Sequence, residues 1–295
     1  MQPIFEGPDR LLGLPGYFQV VRCVKCGLLR QDPRPTRETI SYYYPAEYEP
    51  FSIAIDAERS WLRRWDRRYG IKKRQRAIER YCPSGRLLDV GCATGNFLNE
   101  MAHSGNWEVE GVEPNLKAAE YGQKYFGLTI HIGELTDIDL PQEAYDVITM
   151  WNVFEHLHDP MANLQVIAKL LKPQGWFIFS IPNLESYECQ VLGKYWMGWE
   201  LPRHLYYPTQ EQMDIMLQKV GLCLRNWQCL VGAYPSFIQS LRFLLSDIFG
   251  NPLITNSVLR IFESFPIRLI MAPLFWLITR TNRASLITGF AQRKI

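Results

Sequence analysis

The sequence predicts an α/β protein whose parallel sheet is covered by helices on both faces. Short apolar runs alternate with helix-length stretches, an order typical of parallel strands joined by crossover helices. A chain of 295 residues with 47% hydrophobic content is also long enough to bury such a core. Five runs are predicted as buried strands: RLLDVG (86–91), WEVEGVE (107–113), LTIHI (128–132), YDVITMW (145–151) and WFIFSIP (176–182).

The other segments have helical or irregular patterns. Helix-length stretches such as NFLNEMAHSG and PMANLQVIAKLLKPQG separate the strands, and Thr209 and Gln212 have the spacing of a capping box that opens another helix. The chain is predicted to contain an irregular N-terminal module (1–50), a basic amphipathic helix (51–84), the core (85–232), an apolar helical insertion (233–283) and a final core strand (284–295).

Charge and cysteine content limit the partners and the compartment. A formal net charge of +2 gives no reason to expect nucleic acid as a partner. The opening MQPIFEGPDR lacks the basic and apolar regions of a secretory signal, and we therefore expect a cytoplasmic protein. The seven cysteines are odd in number and irregularly spaced, which fits reduced thiols better than a disulfide framework.

A predicted strand runs directly into a turn of small residues at LLDVGCATGNFL (87–98). Gly91 and Gly95, with Ala93 between them, allow a ligand to approach the backbone, and the next helix presents free N–H groups. Glu113 ends the following strand, at a spacing that lets an acid accept hydrogen bonds from the ribose hydroxyls of a nucleoside. Together these features indicate a nucleoside-binding site at the carboxyl ends of the strands.

These motifs resemble those of the class I S-adenosylmethionine-dependent methyltransferases, within the group that has a leading zinc-ribbon segment. LLDVGCATG resembles the glycine-rich motif I, and GVEPN resembles the acidic motif after it. GELTDIDLPQEAYDVITMWNVFEHLHDP and LLKPQGWFIFSIPN resemble the adenine-side loop with the fourth strand and the fifth strand, and PRHLYYPTQEQMDIMLQKVGL resembles the acceptor-side loop and helix. The resemblance implies a Rossmann-like sheet, S-adenosylmethionine as cofactor and methyl transfer.

The resemblance also implies which residues bind the cofactor. They are Asp89, Gly91, Ala93 and Gly95 at the methionine end, Glu113 at the ribose, Glu134 and the Leu135 backbone at the adenine, and Trp151 and Asn152 at the end of the fourth strand. Ala93 stands where the family usually has glycine. Acids and aromatics suit a sulfonium cation better than a pyrophosphate, which argues against the alternative of a nicotinamide-dependent oxidoreductase.

Methyl transfer from a sulfonium needs alignment and, where the acceptor must lose a proton, a base. By resemblance, His156 and His204 are the candidate catalytic bases, with a structural role as the alternative for His156. Arg203, Tyr206 and Tyr207 share the loop of His204, and we expect them to bind a polar acceptor.

Three features outside the core allow more than one interpretation. Cys23 and Cys26 resemble half of a zinc ribbon whose first knuckle is missing, and we expect no metal because a structural zinc site needs four ligands. The cluster of tyrosines at 42–44 is expected to pack against the core rather than to touch substrate. The basic helix is predicted to present a solvated face; together with the apolar helices of 235–280 it suggests, as alternatives, contact with an anionic membrane, a lid or a dimer interface.

The function predicted from the sequence is S-adenosylmethionine-dependent methyl transfer, with O-methylation of a sugar, a glycan precursor or another small metabolite as the expected reaction. A non-catalytic S-adenosylmethionine-binding scaffold or sensor is the alternative from a different class of function.

Overall fold

A computed structural model of the chain describes residues 1–45, 48, 55, 58, 61–230 and 233–294, without the side chains of residues 62 and 63. The chain forms two compact units whose segments alternate along the sequence. The first unit comprises Met1–Tyr43, Ile181–Gln210 and Trp227–Thr288, and the second comprises Tyr44–Ser180, Glu211–Asn226 and Gly289–Ile295.

The helices and strands have the following bounds. The strands are β1 (Gln2–Pro8), β2 (Tyr17–Arg22), β3 (Leu29–Gln31), β4 (Gly85–Val90), β5 (Trp107–Glu113), β6 (Thr129–Ile132), β7 (Tyr145–Trp151), β8 (Leu171–Pro182), β9 (Tyr206–Tyr207), β10 (Leu222–Gln228) and β11 (Leu286–Arg293). The α-helices are α1 (Trp61–Glu79), α2 (Asn96–His103), α3 (Leu116–Phe126), α4 (Pro160–Leu170), α5 (Tyr187–Leu192), α6 (Gln210–Lys219), α7 (Ala233–Phe249), α8 (Pro252–Glu263) and α9 (Phe265–Arg280).

Within the described chain, the larger sheet has seven strands in the order β10-β11-β8-β7-β4-β5-β6. The pairs β4–β5, β4–β7, β5–β6 and β7–β8 are all parallel. Leu87 and Leu88 of β4 and Val147 and Ile148 of β7 are fully buried, as expected for central strands of a parallel sheet. The predicted α/β fold, with a central sheet flanked by helices, is therefore confirmed.

The predicted strands agree closely with the observed ones, except at the start of β8. The sequence predicts that this strand begins at Trp176, but it begins at Leu171, which already pairs with Tyr145. A register shift between Tyr145 and Val147 accommodates the irregular residues before Trp176. This part of the strand was not predicted because its lysine, proline and glycine interrupt the apolar pattern.

A four-stranded antiparallel sheet in the first unit has the order β1-β2-β3-β9. The sequence predicts only an irregular module over these N-terminal residues, and strands β1 to β3 were not predicted. Val20 and Leu29 of this sheet pack in one buried cluster with Trp196, Trp199 and Tyr207. Widely separated apolar residues thus build a separate core that no local pattern reveals.

A buried ion pair links the N-terminal residues of the first unit to its second segment. The carboxylate of Asp9 accepts hydrogen bonds from both terminal nitrogens of Arg203, at 2.6 and 2.9 Å, and both side chains are fully buried. Asp9 also accepts from the backbone N–H groups of Leu11 and Leu12. The pair therefore fixes the loop after β1 as well as the segment that carries Arg203.

Helices α7, α8 and α9 complete the first unit. Ile238 and Phe243 of α7, Leu259 of α8 and Phe275 and Ile278 of α9 are buried. No single helix in the described residues is long and apolar enough to cross a membrane, although α8 and α9 together pass that test of length and composition with a bend of 67° between them.

We expect Arg203→Met to lower the free energy of unfolding by about 3–5 kcal/mol, because the substitution leaves the buried Asp9 carboxylate without its charged partner. The matched control is Arg283→Met, which removes an exposed ion pair with Glu185 in the same unit and should cost less than about 1 kcal/mol. Chemical denaturation of both variants measures the difference. Equal losses in the two variants would contradict the structural importance of the buried pair.

Candidate functional site

The turn after β4 has the backbone that the sequence predicts for close ligand approach. Gly91, Ala93 and Gly95 all have positive φ angles, of 72°, 49° and 76°. A Cβ atom at Gly91 would lie 2.5 Å from Val153, and one at Gly95 would lie 2.5 Å from Leu128. The positive φ favours glycine at both positions, and at Gly91 the β-branched Val153 also leaves no room for a Cβ, whereas Ala93 adopts its left-handed conformation at a cost of about 1 kcal/mol.

Glu113 joins the loops that follow two neighbouring strands. At the end of β5 its carboxylate accepts hydrogen bonds from the backbone N–H of Ala93 and of Asn115, each at 2.8 Å. The side chain is buried, and burial raises the pKa of Glu113 while the two N–H donors oppose that rise. A carboxylate oxygen has more than one lone pair, so both oxygens retain capacity to accept from a ligand hydroxyl.

Asp89 lies in β4 immediately before the glycine turn. Its carboxylate accepts a 2.6 Å hydrogen bond from the hydroxyl of Thr149 in β7. Burial raises the pKa of Asp89 to about 7, and the Thr149 hydrogen bond and the positive charge of Arg74 act against that rise. The site therefore contains a carboxyl group that is about half ionised near neutral pH.

Arg74 of α1 is a residue of this site that the sequence analysis missed, because it was one of eight basic residues assigned to a solvated face. Its guanidinium lies 4.7 Å from the centre of the Trp151 ring, and its Nε atom is buried without a hydrogen-bond partner among the described residues. Burial lowers the pKa of Arg74 to about 10, against the opposing charge of Asp89. No signal in the helix pattern distinguishes it from its neighbours.

Trp151 and Asn152 end β7 at the same edge of the sheet. Trp151 is buried, contacts Phe97 edge-on at 5.5 Å, and its indole Nε1 has no hydrogen-bond partner within the described part of the chain. Asn152 has a φ of 55°, and the Ser180 hydroxyl both donates to its side-chain oxygen at 2.7 Å and accepts from its backbone N–H at 3.0 Å. Ser180 therefore holds this turn.

Glu134 and Leu135 follow β6. Glu134 is partly exposed, and its carbonyl accepts from the N–H of Asp137 to open the short 3-10 turn Leu135–Asp137. The Leu135 side chain is buried, so only its backbone remains to meet a ligand. These positions agree with an adenine-side loop, and their role in binding stays a prediction.

His156 ends a 3-10 turn, Phe154–His156, directly after β7. Its Nδ1 lies 2.8 Å from the hydroxyl oxygen of Tyr44, and the two rings are tilted with centres 6.0 Å apart. Tyr44 in turn contacts Tyr48 edge-on. The imidazole is partly exposed. Tyr44, which the sequence analysis expected to pack against the core, is thus a second residue beside the predicted site that the sequence analysis missed.

His204 has a different environment in the first unit. The side chain is buried, its Nδ1 donates to the carbonyl oxygen of Gly198 at 2.8 Å, and its Nε2 lies 3.6 Å from a carboxylate oxygen of Glu200. Burial lowers the pKa of His204 to about 3, with a smaller contribution from the charge of Arg203. An imidazole with so low a pKa is a weak base at neutral pH.

The predicted acceptor residues of this loop have partners within the first unit. All five N–H groups of Arg203 have an acceptor, in the carboxylates of Asp9 and Glu200 and the carbonyls of Tyr43 and Leu201. This arrangement fits a structural role for Arg203 better than recognition of an anionic acceptor.

The two tyrosines of the same loop differ in exposure. Tyr207 is buried, and its hydroxyl donates toward the carbonyl oxygens of Trp199 and His204. Tyr206 is partly exposed and is in contact with Arg34, which hydrogen-bonds its hydroxyl and lies over its ring. Of the predicted acceptor residues, Tyr206 is therefore the one with accessible surface.

Cys23 and Cys26 lie in the turn between β2 and β3, where the N–H of Gly27 donates to the carbonyl of Cys23. Both are free thiols, and the hydrogen bonds of the turn lower the pKa of Cys23. Among the residues described, they belong to no group of three metal-ligating side chains. The zinc-ribbon resemblance is thus not shown, and it remains a prediction.

The predicted cofactor residues of the second unit fit S-adenosylmethionine. Asp89 and Arg74 provide opposite charges, matching the ammonium and carboxylate of a methionine, and Glu113 provides acceptors for hydroxyls. The Nε atom of Arg74 and the Nε1 of Trp151 are buried donors whose hydrogen bonds are not made within the described chain. A buried donor without a hydrogen bond is costly. Two such donors are expected in a site where a polar ligand supplies the missing acceptors.

Comparison with solved structures supports the fold. A [4+2]-cyclase, SpnF, superposes with a TM-score of 0.55 at 16% identity, covering 89% of this chain and 98% of that chain. An S-adenosylmethionine-dependent methyltransferase from Thermotoga maritima superposes with a TM-score of 0.50 at 16% identity, covering 78% of this chain and 92% of that one.

Sequence comparison identifies the family. A ubiquinone biosynthesis O-methyltransferase from Cereibacter sphaeroides is 32% identical over 148 residues, which are 46% of this chain and 60% of that protein. The chain therefore spans about three-fifths of the length of this relative. The family model described as a methyltransferase domain matches residues 62–226, more than half of the chain. The chain belongs to this family and carries an S-adenosylmethionine-dependent methyltransferase domain.

Proposed function

We propose that the protein transfers the methyl group of S-adenosylmethionine to a hydroxyl oxygen of a small metabolite. The observation that carries this proposal is the pairing of His156 with Tyr44, at the same sheet edge as the predicted cofactor residues. A hydroxyl needs to lose its proton during methylation, and His156 is an imidazole suited to take it. The named activity of the curated relatives, O-methylation in ubiquinone biosynthesis, supports the same chemistry.

In this proposal the cofactor lies along the carboxyl edge of the sheet. Glu113 accepts from the ribose hydroxyls, while Gly91, Ala93 and Gly95 form the turn at the methionine end. Glu134 and the backbone of Leu135 hold the adenine. Asp89 binds the ammonium group, and Asn152 and Trp151 close the pocket beyond the turn.

Arg74 adds a contact that the sequence analysis lacked. Its charge is held close to Asp89, so the two side chains present opposite charges to the two ends of an amino acid. The guanidinium lies over the Trp151 ring, and its Nε, which has no partner among the described residues, can donate to a carboxylate. We infer that Arg74 binds the carboxylate of the methionine moiety.

We expect Arg74→Gln to weaken S-adenosylhomocysteine binding by about 10- to 100-fold, the effect of losing one hydrogen bond between charged groups. The matched control is Arg76→Gln on the same helix, which changes an exposed arginine and should leave the dissociation constant unchanged. Calorimetric titration measures both. Equal binding by the two variants would remove Arg74 from the cofactor site.

We expect cofactor affinity to rise with pH through the pKa of Asp89, since the ammonium group binds only the ionised carboxyl. The pKa of Asp89 is raised to about 7, so affinity should fall about tenfold between about pH 8 and about pH 6. Titrating Asp89→Asn in parallel cancels the cofactor's own titration. The ratio of the two dissociation constants should change with pH; a constant ratio would show that Asp89 does not pair with the ammonium group.

The proposed base works through the two nitrogens of one imidazole. When bound, S-adenosylmethionine supplies a methyl group on a positively charged sulfur. Nε2 of His156 would take the hydroxyl proton of the acceptor as the acceptor oxygen receives the methyl group. Nδ1–H then donates to the Tyr44 oxygen, which stabilises the charged imidazolium. Tyr44 is accordingly a positioning residue.

Transfer of labelled methyl groups to a catechol and to a methyl glycoside tests the reaction and separates the acceptor classes. Transfer to the catechol supports a phenolic small metabolite, and transfer to the glycoside supports the sugar or glycan acceptor predicted from the sequence. If the folded chain binds the cofactor but methylates neither probe, the O-methylation proposal fails for both classes and the non-catalytic scaffold is favoured.

With the better probe, we expect His156→Gln to lower kcat by about 100- to 10,000-fold and to leave the cofactor dissociation constant unchanged, because only the proton acceptor is lost. His103→Gln is the control, since His103 is exposed on α2. Tyr44→Phe should lower kcat less than His156→Gln does. It should also move the lower limb of the pH profile of kcat toward lower pH, because the charged imidazolium loses a hydrogen bond. An unchanged kcat in His156→Gln would exclude His156 as the base.

A further inference from the structure

Helix α9 is apolar apart from Arg268, Thr279 and Arg280, and it is nevertheless largely exposed. Phe265, Leu269, Ile270, Trp276 and Leu277 are each more than half exposed. Of its large apolar side chains only Phe275 and Ile278 are buried, so a narrow stripe anchors the helix to its unit. A helix that is apolar all round is normally covered by protein or lipid.

The exposed apolar surface continues onto α8. Leu253, Ile254 and Ile261 are exposed there, while Thr255 and Leu259 are buried. We name the exposed apolar side chains of α8 and α9 the apolar face. Large apolar groups are thus exposed on two successive helices, whereas the exposed apolar residues of an ordinary soluble protein are scattered singly.

The charges on these two helices are mainly positive. Arg260 of α8 and Arg268 and Arg280 of α9 are basic, and Glu263 is the one acid in the two sequences. Arg268 lies over the ring of Tyr234, and Arg280 lies over the ring of the exposed Trp276. Arginine beside exposed aromatic and aliphatic groups is the composition of helices that lie in a membrane interface.

We propose that the apolar face docks on the surface of an anionic lipid bilayer, with Arg260, Arg268 and Arg280 meeting the lipid head groups. The net positive charge of α8 and α9 favours an anionic lipid surface over a second copy of this chain as the partner. A symmetric dimer through the face would bring a net positive surface against itself. An anionic membrane instead offers charges opposite to the arginines, and hydrocarbon to cover the exposed side chains.

The docking surface does not rest on the proposed methyl transfer, because it uses no residue of the predicted cofactor or acceptor site. It narrows the membrane contact that the sequence suggests for residues 235–280 to α8 and α9. The basic helix α1 is not needed for this contact.

Flotation of the full chain with vesicles tests the proposal. The protein should bind vesicles of phosphatidylcholine mixed with phosphatidylglycerol, and each arginine changed to glutamine should weaken that binding roughly fivefold. We expect the double variant Leu269→Glu, Ile270→Glu to lose at least about tenfold in binding, because two apolar anchors become repelled charges. Val191→Glu is the control, since Val191 is 80% exposed on α5 of the same unit.

Three results would overturn the proposal. The first is no flotation with anionic vesicles at low salt, and the second is equal binding by the double variant and Val191→Glu. The third is a dimer in sedimentation velocity that the double variant abolishes, which would assign the face to a second copy. Calorimetry of the double variant with S-adenosylhomocysteine checks that the chain is folded, and it keeps a failure of docking distinct from a failure of the cofactor site.

Discussion

The carboxylate of Glu113 accepts backbone hydrogen bonds from the turn after β4 and from the loop after β5, and the predicted cofactor site depends on this connection. Parallel pairing brings the carboxyl ends of β4, β5 and β7 to one edge of the sheet. Backbone hydrogen bonds from Gly91 and Cys92 to the carbonyl of Val112 already join the β4 turn to β5. The buried Glu113 carboxylate extends this connection to Ala93 and Asn115, and it retains lone pairs for the hydroxyls of a nucleoside.

The conformation of the β4 turn has a local cost that this connection offsets. Ala93 adopts a φ of 49°, which an L-residue with a side chain does not favour. The backbone N–H of the same residue donates to Glu113, so the strained conformation gains a hydrogen bond to a charged acceptor. A glycine would make the same backbone hydrogen bond, so alanine at this position keeps the contact with Glu113 and bears a conformational cost of about 1 kcal/mol.

Local patterns predicted the larger sheet well. The bounds of β5 and β7 agree with their apolar runs, since a strand buried on both faces is continuously apolar. The antiparallel sheet of the first unit was not predicted: β1 and β2 are neighbours in the chain but lack a clear apolar alternation, and β9 pairs with β3, a partner distant in sequence. Arg74 and Tyr44 were missed for the same reason: the pairings of these two side chains appear only when α1 and the Tyr44 segment are placed in space.

The two candidate histidines show how environment, rather than residue type, selects a base. His204 is buried with its Nδ1 bonded to a carbonyl, and desolvation lowers its pKa to about 3, so it would seldom hold an abstracted proton. His156 is partly exposed, and Tyr44 can accept from its Nδ1–H, which stabilises the charged form. The sequence places both beside predicted functional loops and cannot rank them. Solvent access favours His156, because the Nδ1 hydrogen bond to the Gly198 carbonyl raises the pKa of His204 and desolvation outweighs it.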